Sequence, residues 1–207
     1  LEVMPSDGWN SDSQVPILFI CGFFINLLLS SLIYAILILR ERHETLKTLS
    51  VPDPLTGLLN RHGFDEAWTR FMKAHPETPC VGIQLDIDDF KFINDIYGHA
   101  AGDLALQELA GSLQRSFPEN AILSRSGGDE FSVILTGTTC QDSASRIEAF
   151  TFIPRSFKYN GIDHPFHISL GYAGYPKDST DPSVLLKNAD IALYEVKLRG
   201  KHSCLPY

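Results

Sequence analysis

The fold is decided by residues 121–136, AILSRSGGDEFSVILT. Two strand-like runs, AILSRS (121–126) and EFSVILT (130–136), are separated only by the tract Gly127–Asp129. Closely spaced runs of this kind around a Gly-Gly turn are typical of a β-hairpin. The two glycines also permit positive φ and leave no side chain in the path of a ligand. The sequence therefore predicts a hairpin whose turn presents its backbone beside two acids.

The segments on either side of this hairpin alternate between strand-like and helical patterns. The resulting order of strand, helix, hairpin, helix, strand and helix predicts an α+β domain with a ferredoxin-like βαββαβ core. Pro154 and Pro165 interrupt the segment after the hairpin, so we expect the helix in that segment to be weak. The predicted elements outside the hairpin are a strand at 81–87, a helix at 102–117, a weak helix at 142–150, a strand around 166–173 and a helix at about 182–199.

Composition narrows the possible classes of function. The chain has 207 residues, of which 44% are hydrophobic, and a net charge of -8. These values suit a folded domain with an appendage. The acidic balance argues against a general nucleic-acid surface, which needs clustered Lys and Arg. The sequence contains no C-x-x-C pair, and its scattered cysteines suggest neither a zinc site nor a disulfide framework. A reducing compartment fits this pattern. The cysteines are Cys21, Cys80, Cys140 and Cys204.

Residues 16–39, PILFICGFFINLLLSSLIYAILIL, carry no charge over 24 residues. As a helix this stretch would extend about 36 Å, enough to cross a hydrocarbon core of about 30 Å with some tilt. A buried core helix seldom stays apolar on every face for so long, and a cleaved signal peptide would have a basic leader and a shorter apolar run. The sequence predicts a transmembrane helix at 16–39.

Charged flanks predict the orientation of this helix. Acids without any Lys or Arg precede it, and basic residues follow it. The positive-inside rule therefore places the downstream chain in the cytoplasm. We expect an extracytoplasmic stub at 1–15, a polar helical linker at 40–50 and a cytoplasmic domain at 51–207. The linker either transmits packing from the membrane or is a solvated spacer, and the sequence leaves both open. Because the chain begins at Leu1 rather than Met, we expect either a piece of a longer protein or a processed or engineered start, in preference to a start at Met4, with any sensor domain upstream of this chain.

Acidic side chains converge where the first strand ends. Asp86 and Asp88 follow its apolar run, and the hairpin acids Asp129 and Glu130 are expected on a neighbouring strand. A hard cation such as Mg²⁺ takes one or two carboxylate oxygens and fills its octahedron with water and substrate phosphates. An Asp-x-Asp pair alone is equally consistent with a plain acidic turn, but convergence with the hairpin favours a metal site.

Polar residues in the 90–103 segment, FKFINDIYGHAAGD, lie next to this site in the sequence. Lys91 is a candidate for a phosphate contact, and Asn94 with Asp103 can donate to and accept from a purine edge. Each is equally a solvated surface residue when taken alone, and His99 in the same segment is equally a structural hydrogen-bonding group.

Five blocks of the sequence stand out: DPLTGLLNRHGF (53–64), LDIDDFKFINDIYGHAAGD (85–103), RSGGDEF (125–131), SLGYA (169–173) and ADIALYEVKLRGKH (189–202). Taken together, these blocks resemble the diguanylate cyclase, or GGDEF, domain, and the chain looks like a membrane-anchored member. The blocks occur in the family's order and cover essentially all of residues 51–207, which is far more specific than the pentapeptide alone.

The resemblance implies a metal site and a catalytic set, position by position. Asp86, Asp129 and Glu130 match side-chain metal ligands, and Ile87 matches a ligand that uses its backbone carbonyl. Asp129, Glu130 and Lys91 match catalytic positions. Mg²⁺ is the implied cofactor, with Mn²⁺ as a substitute and two ions per half-site.

The resemblance also implies a GTP site. Lys201 stands where the family often has Arg, so it keeps the charge but loses the bidentate fork. The implied substrate contacts are Asn94 and Asp103 on the guanine, the backbone at Asp89 and Phe90 and the glycine Gly128 around the nucleotide, and Lys197 and Lys201 on the terminal phosphates.

The implied reaction joins two GTP molecules into cyclic di-GMP, with release of two pyrophosphates, in a homodimer of facing half-sites. An alternative is a catalytically silent GTP-binding domain that regulates a partner; a related palm-like cyclase or polymerase fragment is disfavoured by the blocks at 53–64 and 189–202. The chain departs from the family at 118–121, Pro-Glu-Asn-Ala, where many members carry an Arg-x-x-Asp product-inhibition site. Feedback through that site is therefore not expected.

Overall fold

One long helix, α1 (Gln14–Leu49), forms the N-terminal unit of the chain. The computed structural model describes residues 14–49 and 52–207, with side chains at 19–39 and 52–207. Within the described residues α1 holds the single stretch long and apolar enough to cross a membrane, Phe19–Leu39, with mean hydropathy 2.3. The helix continues through most of the expected linker. Nearly all of the expected stub, residues 1–13, lies outside the described residues.

The second unit, Thr48–Tyr207, contains the sheet and the remaining helices. Its helices are α2 (Arg61–Ala74), α3 (Phe90–Tyr97), α4 (His99–Ser116), α5 (Cys140–Thr151) and α6 (Leu185–Leu198), with a 3-10 turn at Pro182–Val184. Its strands are β1 (Cys80–Ile87), β2 (Ile122–Gly127), β3 (Glu130–Thr136), β4 (Arg155–Tyr159), β5 (Ile162–Phe166), β6 (Ile168–Tyr175) and β7 (Cys204–Pro206).

The strands form a five-stranded sheet in the order β2-β3-β1-β6-β7 and a separate hairpin of β4 and β5. Strands β2, β3, β1 and β6 pair antiparallel, and β7 adds in parallel at the β6 edge. Helix α4 connects β1 to β2, and α5 lies between β3 and β6 in the chain. This is the ferredoxin-like βαββαβ arrangement. The predicted α+β fold is confirmed, including the hairpin at 122–136.

Both faces of the central strand are covered. Ile83 and Leu85 of β1 belong to the larger core, together with Leu109 of α4. Cys80, on the opposite face, packs in a smaller core with Trp68 of α2. Strand β1 is buried almost along its whole length. Because helices cover the sheet on both sides, its sequence is continuously apolar rather than alternating.

The expectation that prolines weaken the helix after the hairpin is wrong. Helix α5 has 12 residues, and its N-cap Thr139 accepts a hydrogen bond from the backbone N–H of Asp142. Such a cap satisfies one of the unpaired donors at a helix start. Pro154 lies beyond the end of this helix. Pro165 lies in β5, which belongs to the separate two-stranded hairpin, where a missing N–H is tolerated.

A buried arginine closes the C-terminal end of α5. The guanidinium of Arg155 donates to the carbonyl oxygens of Phe150 (2.6 Å), Thr151 (3.4 Å) and Ile153 (3.0 Å), and to Ser112 Oγ (3.2 Å). Burial lowers its pKa to about 10. Helix-end carbonyls have few partners within the helix, and Arg155 supplies hydrogen bonds to those at and just beyond the end of α5.

Helix α6 lies directly against the backbone of β6. A Cβ at Gly171 would overlap the backbone nitrogen of Leu193 and the carbonyl oxygen of Ala189, both in α6. Only a residue without a side chain allows this approach. The contact fixes the position of α6, and with it the basic residues near the C-terminal end of that helix.

We expect Gly171→Ala to lower the free energy of unfolding by about 1–3 kcal/mol, because the added methyl group would overlap the α6 backbone and push the helix away from β6. Gly111→Ala in α4 is the matched control, since its Cβ meets only the flexible end of Arg115. That change should be neutral or stabilising by about 0.5–1 kcal/mol through helix propensity. Thermal and denaturant unfolding of both variants measure the difference; equal effects would contradict the close packing of α6 on β6.

Candidate active site

The β1–β3 register places two predicted site residues side by side. Asp86, near the end of β1, lies opposite Glu130 at the start of β3 and opposite Ser169 of β6. Directly opposed residues of an antiparallel pair project to the same face of the sheet. Asp129 lies in the adjoining turn and is close enough to influence the charge of Asp86. The carboxylates predicted for one metal site are thus neighbours.

The glycine turn has a backbone that few other residues adopt. Gly127 and Gly128 have φ of 143° and 55°, in the region that glycine adopts without steric cost. Arg125 donates from Nε (2.9 Å) and Nη2 (2.8 Å) to the carbonyl oxygen of Gly128. Its Nη1 also donates to both carboxylate oxygens of Asp53, each at 3.2 Å. Arg125 therefore ties the turn to the N-terminal segment of the domain.

The Asp53–Arg125 pair was not among the predicted site residues. Burial raises the pKa of Asp53, but hydrogen bonds from Thr56 and the charge of Arg125 together hold it below its ordinary value. The pair joins residues that lie 72 positions apart. The available signal in the sequence is that both residues stand inside the family-like blocks, Asp53 at the start of one and Arg125 at the start of another.

Asp86 is a buried carboxylate with an unusual surrounding. Its side chain is 8% exposed, and one oxygen, Oδ2, forms an ion pair with the Nζ of Lys197 in α6. The other oxygen, Oδ1, is buried without a hydrogen-bond partner. Burial raises the pKa of Asp86 to about 6; the hydrogen bond and charge of Lys197 oppose this rise, and Asp129 and Asp88 add to it.

These residues fit a hard divalent cation. A buried oxygen without a partner is costly unless something satisfies it, and all donors proposed here are oxygens, as Mg²⁺ prefers. Across the described part of the chain no three His, Cys, Asp or Glu side chains cluster as a complete metal site. This arrangement suits Mg²⁺, which is held by one or two carboxylates and completes its shell with water and phosphate oxygens.

Asp88 has a different role from Asp86. Its Oδ1 accepts from Ser169 Oγ at 2.6 Å, and its Oδ2 accepts from the backbone N–H of His202 at 3.0 Å. These bonds fasten the loop after α6 to the end of β1. Of the two acids in the Asp-x-Asp pair, one is thus occupied in a structural network and the other is the candidate ligand.

The segment between β1 and β2 is helical almost throughout. Asp89, with φ of 54°, is the N-cap of α3, and Gly98 separates α3 from α4. The side chain of Asn94 lies against Gly102, where a Cβ would overlap its Oδ1. Because Asp103 follows Gly102 directly, the two predicted guanine contacts lie in the same region.

The remaining predicted contacts lie around the start of α3. Phe90 and Lys91 are its first residues, and backbone N–H groups at a helix start lack partners within the helix and can meet anions. Lys201 Nζ pairs with Asp89 Oδ1 at 2.7 Å. His99 is exposed at the start of α4, and the structural hydrogen bond considered for it is not seen among the described residues.

The structure defines a palm-like α+β domain with acidic side chains gathered at the end of its central strand. The family model for "Diguanylate cyclase, GGDEF domain" matches residues 50–203. The chain belongs to the GGDEF family.

Relatives of the chain carry names that refer to different activities. The chain is 33% identical over 172 residues to diguanylate cyclase TpbB of Pseudomonas aeruginosa, covering 80% of this chain and 39% of TpbB. It is 32% identical over 166 residues to the cyclic di-GMP phosphodiesterase PdeR of Escherichia coli, covering 78% of this chain and 25% of PdeR. The chain thus spans well under half of these proteins.

Among solved structures, the chain resembles the GGDEF domain of DgcB from Caulobacter crescentus in complex with c-di-GMP. The TM-score is 0.67 at 28% identity, covering 76% of this chain and 95% of that domain. This coverage is comparable to the share of the chain that the second unit makes up.

We expect Asp86→Asn to stabilise the metal-free chain near neutral pH. The native carboxylate has a pKa of about 6 against an ordinary value of 3.8. Between these pH values the carboxyl group is protonated in the native state and ionised in the unfolded state. Wild-type stability should therefore fall as the pH rises from about 4 to above about 6, by up to about 3 kcal/mol from this group.

The amide carries no such charge, so the variant should match the wild type below about pH 4 and exceed it at about pH 8. Thermal unfolding in EDTA across this pH range measures the difference in stability between Asp86→Asn and the wild type. A difference in stability that does not change with pH would show that the pKa of Asp86 keeps its ordinary value in the native state.

Proposed function

We propose that this chain is a diguanylate cyclase, which condenses two GTP into cyclic di-GMP. The observation that carries the proposal is the buried, unpartnered Oδ1 of Asp86, opposite Glu130 and beside the glycine turn. A buried acid in this condition is unfavourable for stability and is typical of a functional site. Membership of the GGDEF family supports the reaction class.

In this proposal the domain holds one GTP by four groups of contacts. Asn94 and Asp103 read the guanine, and the first backbone amides of α3 with Lys91 receive phosphates. Asp86, Asp129 and Glu130 would hold Mg²⁺, with the Ile87 carbonyl. When bound, the cations neutralise phosphate charge and lower the pKa of the attacking hydroxyl. Lys197 and Lys201 add positive charge for the terminal phosphates.

The chemistry needs two copies of the domain. Each 3′-oxygen forms a bond to the α-phosphorus of the other nucleotide, the bond from that phosphorus to pyrophosphate breaks, and one proton leaves each hydroxyl. A single site holds one GTP, so a homodimer with facing sites must form before any bond is made. No covalent intermediate is involved, and positioning and charge neutralisation supply the acceleration.

A regulatory GTP-binding module is the alternative function. The similarity to PdeR, which is named as a phosphodiesterase, shows that relatives of this domain occur in proteins with another activity. The acids Asp86, Asp129 and Glu130 are all present here, which favours the cyclase.

We further propose that the enzyme is not inhibited by its product through the site common in the family. The turn between α4 and β2 holds Pro118 and Ala121, joined by a hydrogen bond from the Ala121 N–H to the Pro118 carbonyl (2.9 Å). Neither residue offers the charge that would bind a cyclic dinucleotide.

The N-terminal helix is proposed to anchor the chain in the bacterial inner membrane. Its apolar stretch, Phe19–Leu39, has 21 residues. This is enough to span a bilayer as a helix. The positive residues that follow in the sequence favour a cytoplasmic position for residues 51–207, where GTP is available. A shared membrane anchor also raises the local concentration of two copies.

The activity is tested with the full chain in detergent micelles, GTP and Mg²⁺, and chromatographic detection of cyclic di-GMP. Asp129→Ala should lower turnover by about 100-fold or more, because it removes a metal carboxylate. Asp163→Ala, which removes an exposed carboxylate on the β4–β5 hairpin, is the matched control and should keep full activity. Bound GTP without product in a folded wild-type dimer would instead establish the regulatory module.

Membrane placement is tested by protease protection. In spheroplasts the 51–207 domain should be protected, and in inside-out vesicles it should be digested, because the helix spans the bilayer with its C-terminal end inside. Alkaline carbonate should leave the chain in the membrane fraction. Extraction by carbonate, or digestion in spheroplasts, would contradict the proposed topology.

A further inference from the structure

Lys197 is bound to the acid that the proposed function assigns to the metal. Its Nζ forms an ion pair with Asp86 Oδ2, while the proposed reaction assigns this ammonium to substrate phosphate. The carboxylate is 8% exposed and the lysine side chain 42% exposed. Lys197 thus has two negatively charged partners, Asp86 and the phosphate. The structure shows the contact with Asp86, and the contact with phosphate belongs to the proposed function.

Lys197 and a bound metal ion exclude each other at Asp86. An ammonium and a divalent cation compete for the same carboxylate, because each repels the other at contact distance. Both oxygens belong to one carboxylate, so an ion that satisfies the unpartnered Oδ1 lies close to the ammonium bound at Oδ2 and is repelled by it. A bound metal must therefore displace the lysine.

Lys197 can move without moving its helix. It lies in the last turn of α6, and its side chain is a point charge on a flexible stem. The helix itself is held by the backbone contact at Gly171. The displaced ammonium therefore remains at the site, available to a phosphate.

We propose that Lys197 is an internal counter-cation of Asp86 that leaves the carboxylate when substrate phosphate takes its ammonium, so that metal and nucleotide bind cooperatively. This inference rests on the proposed function for the assignment of Asp86 to the metal and Lys197 to phosphate. Metal alone binds weakly because it must break the ion pair. Phosphate weakens that pair first, and by linkage each ligand strengthens the other.

Lys201 provides the matched comparison. It also pairs with an acid, Asp89, at 2.7 Å, and its side chain is 40% exposed, close to the value for Lys197. Asp89 is itself 67% exposed and is not a proposed metal ligand. Removing Lys201 takes the same charge from the same region without freeing Asp86.

The test measures Mn²⁺ binding to the full chain in detergent, without nucleotide, by the electron paramagnetic resonance of free Mn²⁺. A pH of about 8.5 keeps Asp86 ionised in all variants that retain it. Lys197→Met should bind Mn²⁺ about tenfold tighter than the wild type, and Lys201→Met within about twofold of it. Asp86→Asn should lose this binding. If Lys197→Met binds no tighter than Lys201→Met, the inference is overturned.

A second arm measures the linkage itself. A non-hydrolysable GTP analogue should tighten Mn²⁺ binding in the wild type, and this tightening should be about tenfold smaller in Lys197→Met, because the ion pair is already absent. An equal tightening in both would also overturn the inference.

Neither arm requires turnover, so the result is separate from the cyclase assay. Tighter Mn²⁺ binding by Lys197→Met without any cyclic di-GMP from the wild type would retain the linkage and reject the enzyme. Cyclic di-GMP production with unchanged Mn²⁺ binding would retain the enzyme and reject the linkage.

Discussion

The antiparallel pairing of β1 with β3 is the constraint on which the site depends. It sets Asp86 opposite Glu130 at one end of a ladder that is otherwise largely apolar. A shift of one residue would turn every side chain of a strand to the other face. The register is held by buried residues within the ladder, including Leu85 paired with Phe131, which are 1% and 0% exposed. The core thus fixes where the acids lie, although the acids themselves add little to it.

The same face of the sheet receives its positive charge from α6. Because Gly171 lets this helix contact the β6 backbone, the position of the helix is set by packing rather than by charge. Lys197 then reaches Asp86 from a rigid support by a flexible side chain. On the hairpin side the reverse holds, since Arg125 binds the Gly128 carbonyl directly and keeps the turn itself in place. One basic residue near the acids is movable and the other is fixed.

The sequence predicted the elements whose positions depend on local patterns of apolar residues and glycines. Its apolar runs and glycine placement located β1 and the hairpin, and the four-stranded core followed from element order. It did not predict that α5 is intact, because the capping by Arg155 depends on a residue beyond the helix and on tertiary burial. Nor did it reveal the Asp53–Arg125 or Asp86–Lys197 pairs, since contacts between residues this far apart in sequence leave no periodic signal. The assigned roles of the site residues come from the resemblance and stay predictions.

Arg155 and Asp86 are both buried charged residues, but one has a structural role and the other marks the candidate functional site. Arg155, 5% exposed, has its donors directed at neutral oxygens, so its burial is compensated by hydrogen bonds and completes a helix end. Asp86, also 5% exposed as a whole residue, keeps an oxygen without a partner, and burial raises its pKa. A folded protein optimised for stability alone would satisfy or replace that oxygen. The difference in hydrogen bonding, rather than burial or charge as such, therefore marks the end of β1 as the place where a ligand completes the structure.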